Sequence, residues 1–358
     1  MVDMFKTVRK ATRLMKKRRP VSAALELQKL LVAPVQKPPR KRAARPASAK
    51  APRRSTAVRA PARPAPGSFI AEDFTCAHGT LAYRFYTPTG SNRRRMPLVV
   101  MLHGCSQTAR DFATGTAMNR LADELGFLVL YPEQARTANP ARCWNWHRPD
   151  NQRRGKGEPA IIAALTRHAM AIGRANPARI YIAGISAGGA TAAIVGAAYP
   201  DLYTAVGVHS GVAVGDVATL SGAIAAMRGT GGPRPTGKLP RQQPTIVFHG
   251  DHDRIVHPSN AAGFLSNLER AAPGPLTVRT LSGQSPGGRM FTRRVYQDRA
   301  GHLMLEDWTI HGSGHGWSGG SLLGSHTDPA GPDASREMLR FFLAQKREDA
   351  KRKPPSPA

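Results

Sequence analysis

Ser186 sits in Gly184-Ile-Ser-Ala-Gly188, among the residue types that serine nucleophilic chemistry requires. The apolar, β-branched run at 180–182 leads in as a buried strand. Ala, Thr, Ile and Val at helical spacing lead out, towards Tyr199-Pro200. Strand, tight turn and helix form the setting that makes Gly-x-Ser-x-Gly a nucleophile elbow. Such a turn strains the serine backbone, and glycine two positions to either side removes the side-chain clashes that would forbid it. The same template recurs at Gly283-Gln-Ser285-Pro-Gly287 and Gly316-Trp-Ser318-Gly-Gly320. The first has Pro286 after the serine and no hydrophobic strand before it. The second lacks both strand and following helix, so context selects Ser186.

A serine hydroxyl is a weak nucleophile at neutral pH. It needs a base within hydrogen-bond reach, and the base needs a carboxylate to fix its tautomer. Acid candidates downstream are Asp251 and Asp253 in His249-Gly-Asp-His-Asp-Arg-Ile-Val-His257, in a loop leaving the end of a strand at 245–248. Aspartate favours turns, so residue type leaves both open. Histidine candidates are His311, His315 and His326. His315 lies in Gly312-Ser-Gly-His-Gly-Trp-Ser-Gly-Gly320, where glycines let a loop turn back sharply towards the sheet. His311 ends a strand, and His302 reads as a surface strand residue. Acyl transfer also needs donors for the developing oxyanion. The backbone N–H of Ala187, just after the nucleophile, and that of Cys105, after His103-Gly104, are the expected pair.

These side chains must be carried by a scaffold, and the hydrophobic pattern supplies one. Strands are expected at 81–86, 98–102, 127–131, 180–183, 205–208 and 245–248, and an antiparallel pair at 291–296 and 302–308. Helices are expected at 111–125, 158–174, 258–270 and 333–344. The stretch 139–157 is polar and Trp-bearing and reads as a surface loop. The Gly- and Pro-rich excursion at 212–243 has the length of a functional cap or an insertion. Strands alternating with helices imply an α/β protein with a mainly parallel sheet covered on both faces.

Charge is unevenly placed. Residues 1–66 hold 19 Lys+Arg against 2 Asp+Glu, a formal +17 of the chain's +29. This arm reads as two short basic amphipathic helices, at 4–15 and 22–31, then a Pro/Ala/Arg-rich extended linker at 38–66. It would suit a polyanion, an anionic lipid or a granule surface, by non-specific attraction rather than sequence-specific nucleic-acid reading. A binding protein docked through this arm is the alternative to an enzyme. The catalytic domain is expected over 67–345 and a charged tail over 346–358. The three cysteines, Cys76, Cys105 and Cys143, show no zinc-ligand spacing, and no metal or cofactor is expected. No stretch reaches the ~18 apolar residues of a membrane span. Arg18-Arg19 precede an apolar patch, but Glu26, Gln28 and Lys29 interrupt it, so no secretory signal is read and a cytoplasmic or granule-associated location is expected.

Six segments, in order, resemble the polyhydroxybutyrate depolymerase-type esterases of the α/β-hydrolase superfamily. They are Leu102-His-Gly-Cys-Ser-Gln, Leu130-Tyr-Pro-Glu-Gln, Cys143-Trp-Asn-Trp, Gly184-Ile-Ser-Ala-Gly-Gly, His249-Gly-Asp-His-Asp and Gly314-His-Gly-Trp-Ser-Gly-Gly. The resemblance covers about residues 69–345. It implies an α/β-hydrolase fold and a serine carboxylic-ester hydrolase with Ser186 as nucleophile, Asp253 as acid and His315 as base. It also implies that Cys105 and Cys143 lie close enough to bridge, and that Trp144, Trp146 and Trp317 stand near the mouth of the site. The implied substrates are hydroxyalkanoate esters or oligomers, with feruloyl or acetylxylan esters as the alternative, and the family admits extracellular enzymes. The basic arm departs from the family's catalytic pattern, and no separate polymer-binding module is evident.

Overall fold

Runs of apolar residues too short for a buried helix and lacking polar alternation must be covered on both faces, and here they form the centre of one sheet. In the computed structural model, which describes residues 67–347 apart from 91–94, 214, 216–218, 231–242 and 273, these runs are buried at every position. They are β3 (Leu98–Leu102), β5 (Ile180–Ile185), β6 (Ala205–His209) and β7 (Thr245–Gly250). The readings placed on the N-terminal arm, the linker and the tail beyond 347 lie outside the described residues.

Ten strands are ordered β1-β2-β4-β3-β5-β6-β7-β10-β9-β8. Here β1 is Phe69–Cys76, β2 Gly79–Tyr86, β4 Leu128–Glu133, β8 Thr277–Gln284, β9 Met290–Gln297 and β10 Leu303–Ile310. The β4-β3-β5-β6-β7-β10 block is parallel, and antiparallel strands extend it at both edges. Among the described residues the α-helices are α1 (Ala109–Thr116), α2 (Met118–Leu125), α3 (Gly157–Gly173), α4 (Ala187–Ala198), α5 (Leu220–Met227), α6 (Asn260–Ala271) and α7 (Ala334–Ala344).

Alternation along the strands divides the core in two. Leu98, Val100 and Leu102 pack with α3 and α4 residues such as Ile162, Leu165 and Ile194 on one face. Val99 and Met101 pack with Phe112, Leu121, Met338 and Phe342 on the other. No helix among the described residues is long and apolar enough to cross a membrane.

One sequence expectation changes, and two segments gain detail. The helix expected over 111–125 is two helices, because Ala117 adopts a left-handed backbone (φ 51°) between them. A strand, β8, does precede Ser285; its exposed edge position leaves it without the apolar run that marks a central strand. The 212–243 excursion contains α5, whose Ala223 and Ala226 are buried.

Candidate active site

The parallel strands point their C-terminal ends to one rim, where open α/β sheets carry their sites. β5 ends at Ile185 and α4 begins at Ala187, leaving Ser186 alone at the turn with φ 58° and ψ −123°. Its neighbours must be glycine. A Cβ on Gly184 would stand 2.4 Å from Gly188 O, and one on Gly188 would stand 2.2 Å from Leu102 O. The Ser186 N–H donates to His209 O at 2.9 Å, which holds the strained residue against β6. Ser186 O accepts from Ala190 N–H, so Ala187 lies in the first turn of α4, where backbone N–H groups have no partner within the helix.

Cys105 follows β3, and a disulfide joins it to Cys143. The Cys105 loop is held further by Gly104 N–H donating to Gln107 Oε1 at 2.9 Å and Ser106 N–H donating to Ala141 O at 2.7 Å. His103 anchors its base. Its Nε2 accepts from Gln134 N–H at 3.0 Å, so the ring proton is on Nδ1 and is donated to Gly104 O at 2.7 Å. Burial pushes the His103 pKa below its ordinary value and keeps the ring neutral.

The two aspartates left open by residue type have different partners. Asp251 accepts from His311 Nδ1 at 2.9 Å and from Gly312 N–H at 2.7 Å. Asp253 is buried; its Oδ1 accepts from Ile255 N–H and Val256 N–H, both at 2.9 Å, and its Oδ2 lies 2.7 Å from His315 Nδ1. Burial works against ionisation of Asp253. His249, whose Nε2 lies 3.5 Å from Oδ2, together with the hydrogen bonds to His315 and the Val256 amide, outweighs it and holds the carboxyl well below the usual carboxylate range. With its Nδ1 proton given to Asp253, His315 has Nε2 left to act as a base. Ser186 Oγ is not hydrogen-bonded to His315 in this structure; such bonds often form only when substrate is bound.

Beside Ser186 lies a cavity of about 200 Å³, lined by Ala187, Ala190, Val212, Met227, Val256 and Trp146 among others. Trp144 also lines it, with its indole N–H bonded to His103 O at 3.0 Å. Trp317 does not stand at the mouth, contrary to expectation. It is fully buried on the α1/α7 side of the sheet, edge-on to Phe112, with its indole N–H donated to Ser335 Oγ at 2.9 Å. The resemblance sets an indole in this Gly-rich loop at the mouth of the site, but the loop folds it inward. The other two Gly-x-Ser-x-Gly serines are structural as well: Ser285 Oγ donates to Ala330 O, and Ser318 Oγ donates to Pro332 O at 2.7 Å.

Several residues at this rim carried no motif. Asp111 accepts from Gln107 Nε2 at 3.0 Å and from Ser325 N–H at 3.0 Å, clamping the Cys105 loop to the loop after His315. His326 belongs to that second loop and has a left-handed backbone (φ 53°), with Nε2 3.4 Å from Ser106 Oγ. Glu158 collects Gln134 Nε2, Asn145 N–H and Asn145 Nδ2 and so fixes the Trp144–Trp146 segment. Burial raises the Glu158 pKa despite those bonds. Such contacts join residues far apart in sequence, and no local spacing announces them.

The family model described as esterase PHB depolymerase matches residues 81–273, more than half of the chain. Feruloyl esterase B of Neurospora crassa is 30% identical over 283 residues, covering 72% of this chain and 87% of that protein. Poly(3-hydroxyalkanoate) depolymerase C of Paucimonas lemoignei is 29% identical over 252 residues, 66% of this chain; the match spans only 59% of the depolymerase. Acetylxylan esterase A of Talaromyces purpureogenus is 29% identical over 205 residues, 51% of each chain. Among solved structures, the acetyl xylan esterase from Aspergillus awamori superposes with a TM-score of 0.54 at 18% identity, covering 74% of this chain and 94% of that one. Sequence and architecture agree: this α/β-hydrolase-fold chain is a carboxylic ester hydrolase and belongs to the esterase PHB depolymerase family.

Proposed function

We propose that Ser186, Asp253 and His315 act as a catalytic triad that hydrolyses short-chain hydroxyalkanoate esters or oligomers. The observation that carries the reading is the 2.7 Å contact between buried Asp253 and His315 Nδ1, at the same rim as the strained Ser186 turn. His315 Nε2 takes the Ser186 proton as Oγ attacks the ester carbonyl. The tetrahedral oxyanion is met by the N–H groups of Ala187 and Cys105, each worth about 10²–10³ in turnover. His315 then gives its proton to the departing alcohol. A water activated by the same imidazole hydrolyses the acyl-enzyme and regenerates Ser186.

The cavity next to the serine supports this choice of substrate. Its lining is mostly apolar, with Asn139 and His147 as polar members, and among the described residues no Lys or Arg lines it, which suits a neutral acyl group. Names of the matched relatives point both to hydroxyalkanoate polyesters and to feruloyl and acetylxylan esters. A panel of hydroxybutyrate oligomers, feruloyl esters and acetylated sugars separates these; highest kcat/KM on the oligomers is expected, and preference for either other class would replace the substrate reading. Ser186→Ala should lower hydrolysis of p-nitrophenyl butyrate by at least about 10⁴-fold. Turnover near that of the wild type in this variant would remove the triad.

A further inference from the structure

We infer that His209 is a positioning residue for the general base, holding the His315 loop through an Nε2 that accepts the Ser318 N–H. His209 ends β6, the strand beside the nucleophile strand. Its carbonyl accepts the Ser186 N–H at 2.9 Å. Its ring is stacked with Phe248, at 5.9 Å and 8° between planes, and with Trp317, at 5.2 Å and 26°. Phe248 is on β7, which leads to Asp253; Trp317 is two residues after His315. Nε2 lies 3.0 Å from Ser318 N. One fully buried residue therefore touches the segments that carry all three triad members.

The tautomer follows from the partners. A backbone N–H can only donate, so Nε2 must be bare and the ring proton must be on Nδ1, which faces Ser210 Oγ at 3.1 Å. Burial, reinforced by repulsion from His249 and His315, pushes the pKa down to about 3, so the ring keeps this acceptor through the working pH range. A protonated ring would present N–H to N–H at Ser318 and push the base loop away. Two-point fixing of this kind, at the nucleophile and at the base loop, keeps reacting groups within the narrow geometry that proton transfer demands.

The inference rests on the triad reading and is tested beside it, with three substitutions. His209→Gln puts an amide oxygen where Nε2 stands. His209→Asn, one methylene shorter, reaches only the Nδ1 position, and His209→Phe keeps the stacking but has no acceptor. With p-nitrophenyl butyrate, the Gln variant should keep kcat above about one third of wild type, while Asn and Phe lose about 30-fold in kcat with KM within about 3-fold. Tm and circular dichroism establish that the compared variants are folded. A Phe variant losing less than about tenfold, or a Gln variant as slow as Phe, would overturn the inference. If Asn and Phe are not recovered folded, His209→Leu, which also lacks an acceptor, takes their place against Gln under the same thresholds. Ser186→Ala and His315→Ala run in parallel: turnover surviving in either removes the triad itself, a different failure from insensitivity at position 209.

Discussion

Asp253 Oδ2 stands 2.7 Å from His315 Nδ1, while Asp251, in the same loop, is spent on His311 at 2.9 Å. The two pairs differ in setting: Asp253 is buried, whereas Asp251 and His311 are partly open to solvent. Only the buried carboxylate can steady an imidazolium without competition from water. Asp253→Asn should therefore lower kcat by about 10³–10⁴-fold, and Asp251→Asn by no more than about 3-fold. Steady-state kinetics on one soluble ester compares them, and equal losses would undo the assignment of the acid.

The Cys105–Cys143 disulfide should matter to both stability and rate. It closes a loop with a sequence separation of 38 residues. Constraining an unfolded chain over a loop of this length contributes about 4 kcal/mol in the loop-entropy description. Cys143→Ser, or reductant, should lower Tm, and should lower kcat about tenfold because the Cys105 N–H is released from its position. Cys76→Ser should change neither. Thermal melts and ester assays with and without reductant read both effects.

His209 also predicts an acid-side loss of stability. Its folded pKa, about 3, lies below the ordinary histidine value, so the unfolded chain binds the proton more tightly. The stability this neutral ring contributes is present above the unfolded pKa of about 6.5 and is lost as pH falls from there towards 3. His209→Gln removes that proton uptake. The Tm advantage of wild type over His209→Gln should thus be greatest near pH 7–8 and shrink by pH 4. A difference that stays flat between these limits would mean that position 209 does not titrate in this way.

Filling the cavity should separate acyl chains by length. Ala190 is buried on α4 and lines the space of about 200 Å³ beside Ser186. Ala190→Leu adds bulk there while leaving the triad untouched. Acetate esters should keep kcat/KM within about 3-fold, while butyrate and longer esters lose about 10-fold or more, the size of discrimination expected when a few methylenes are excluded. A uniform loss across chain lengths would place acyl binding elsewhere.

Parts of the fold whose physics is local can be read from the chain before it folds. A β-branched run, Gly-x-Ser-x-Gly and a small-residue helix read as strand, turn and helix from spacing alone, and the clash that a Cβ at Gly184 would make with Gly188 O lies within that same turn. The central strands were legible for a similar reason: unbroken apolar runs must be buried on both faces. Edge strand β8 escaped because its residues are mostly exposed and carry no such run. The break at Ala117 escaped because alanine gives no sign of a left-handed turn.

Which residues meet is set by folding. Asp251 and Asp253 have the same turn propensity, and their partners are chosen by the pairing of β7 with β10, which sets Gly250 beside Ile310 and brings the two following loops together. Trp317 was drawn into the core by its indole hydrogen bond to Ser335 and by Phe112, neither of them near it in sequence. His209 carries no motif, since its role comes from Ser186, Phe248 and Ser318, which only the folded sheet gathers around it. Spacing along a chain encodes contacts within one element; contacts between elements depend on strand order and register, which no single segment contains.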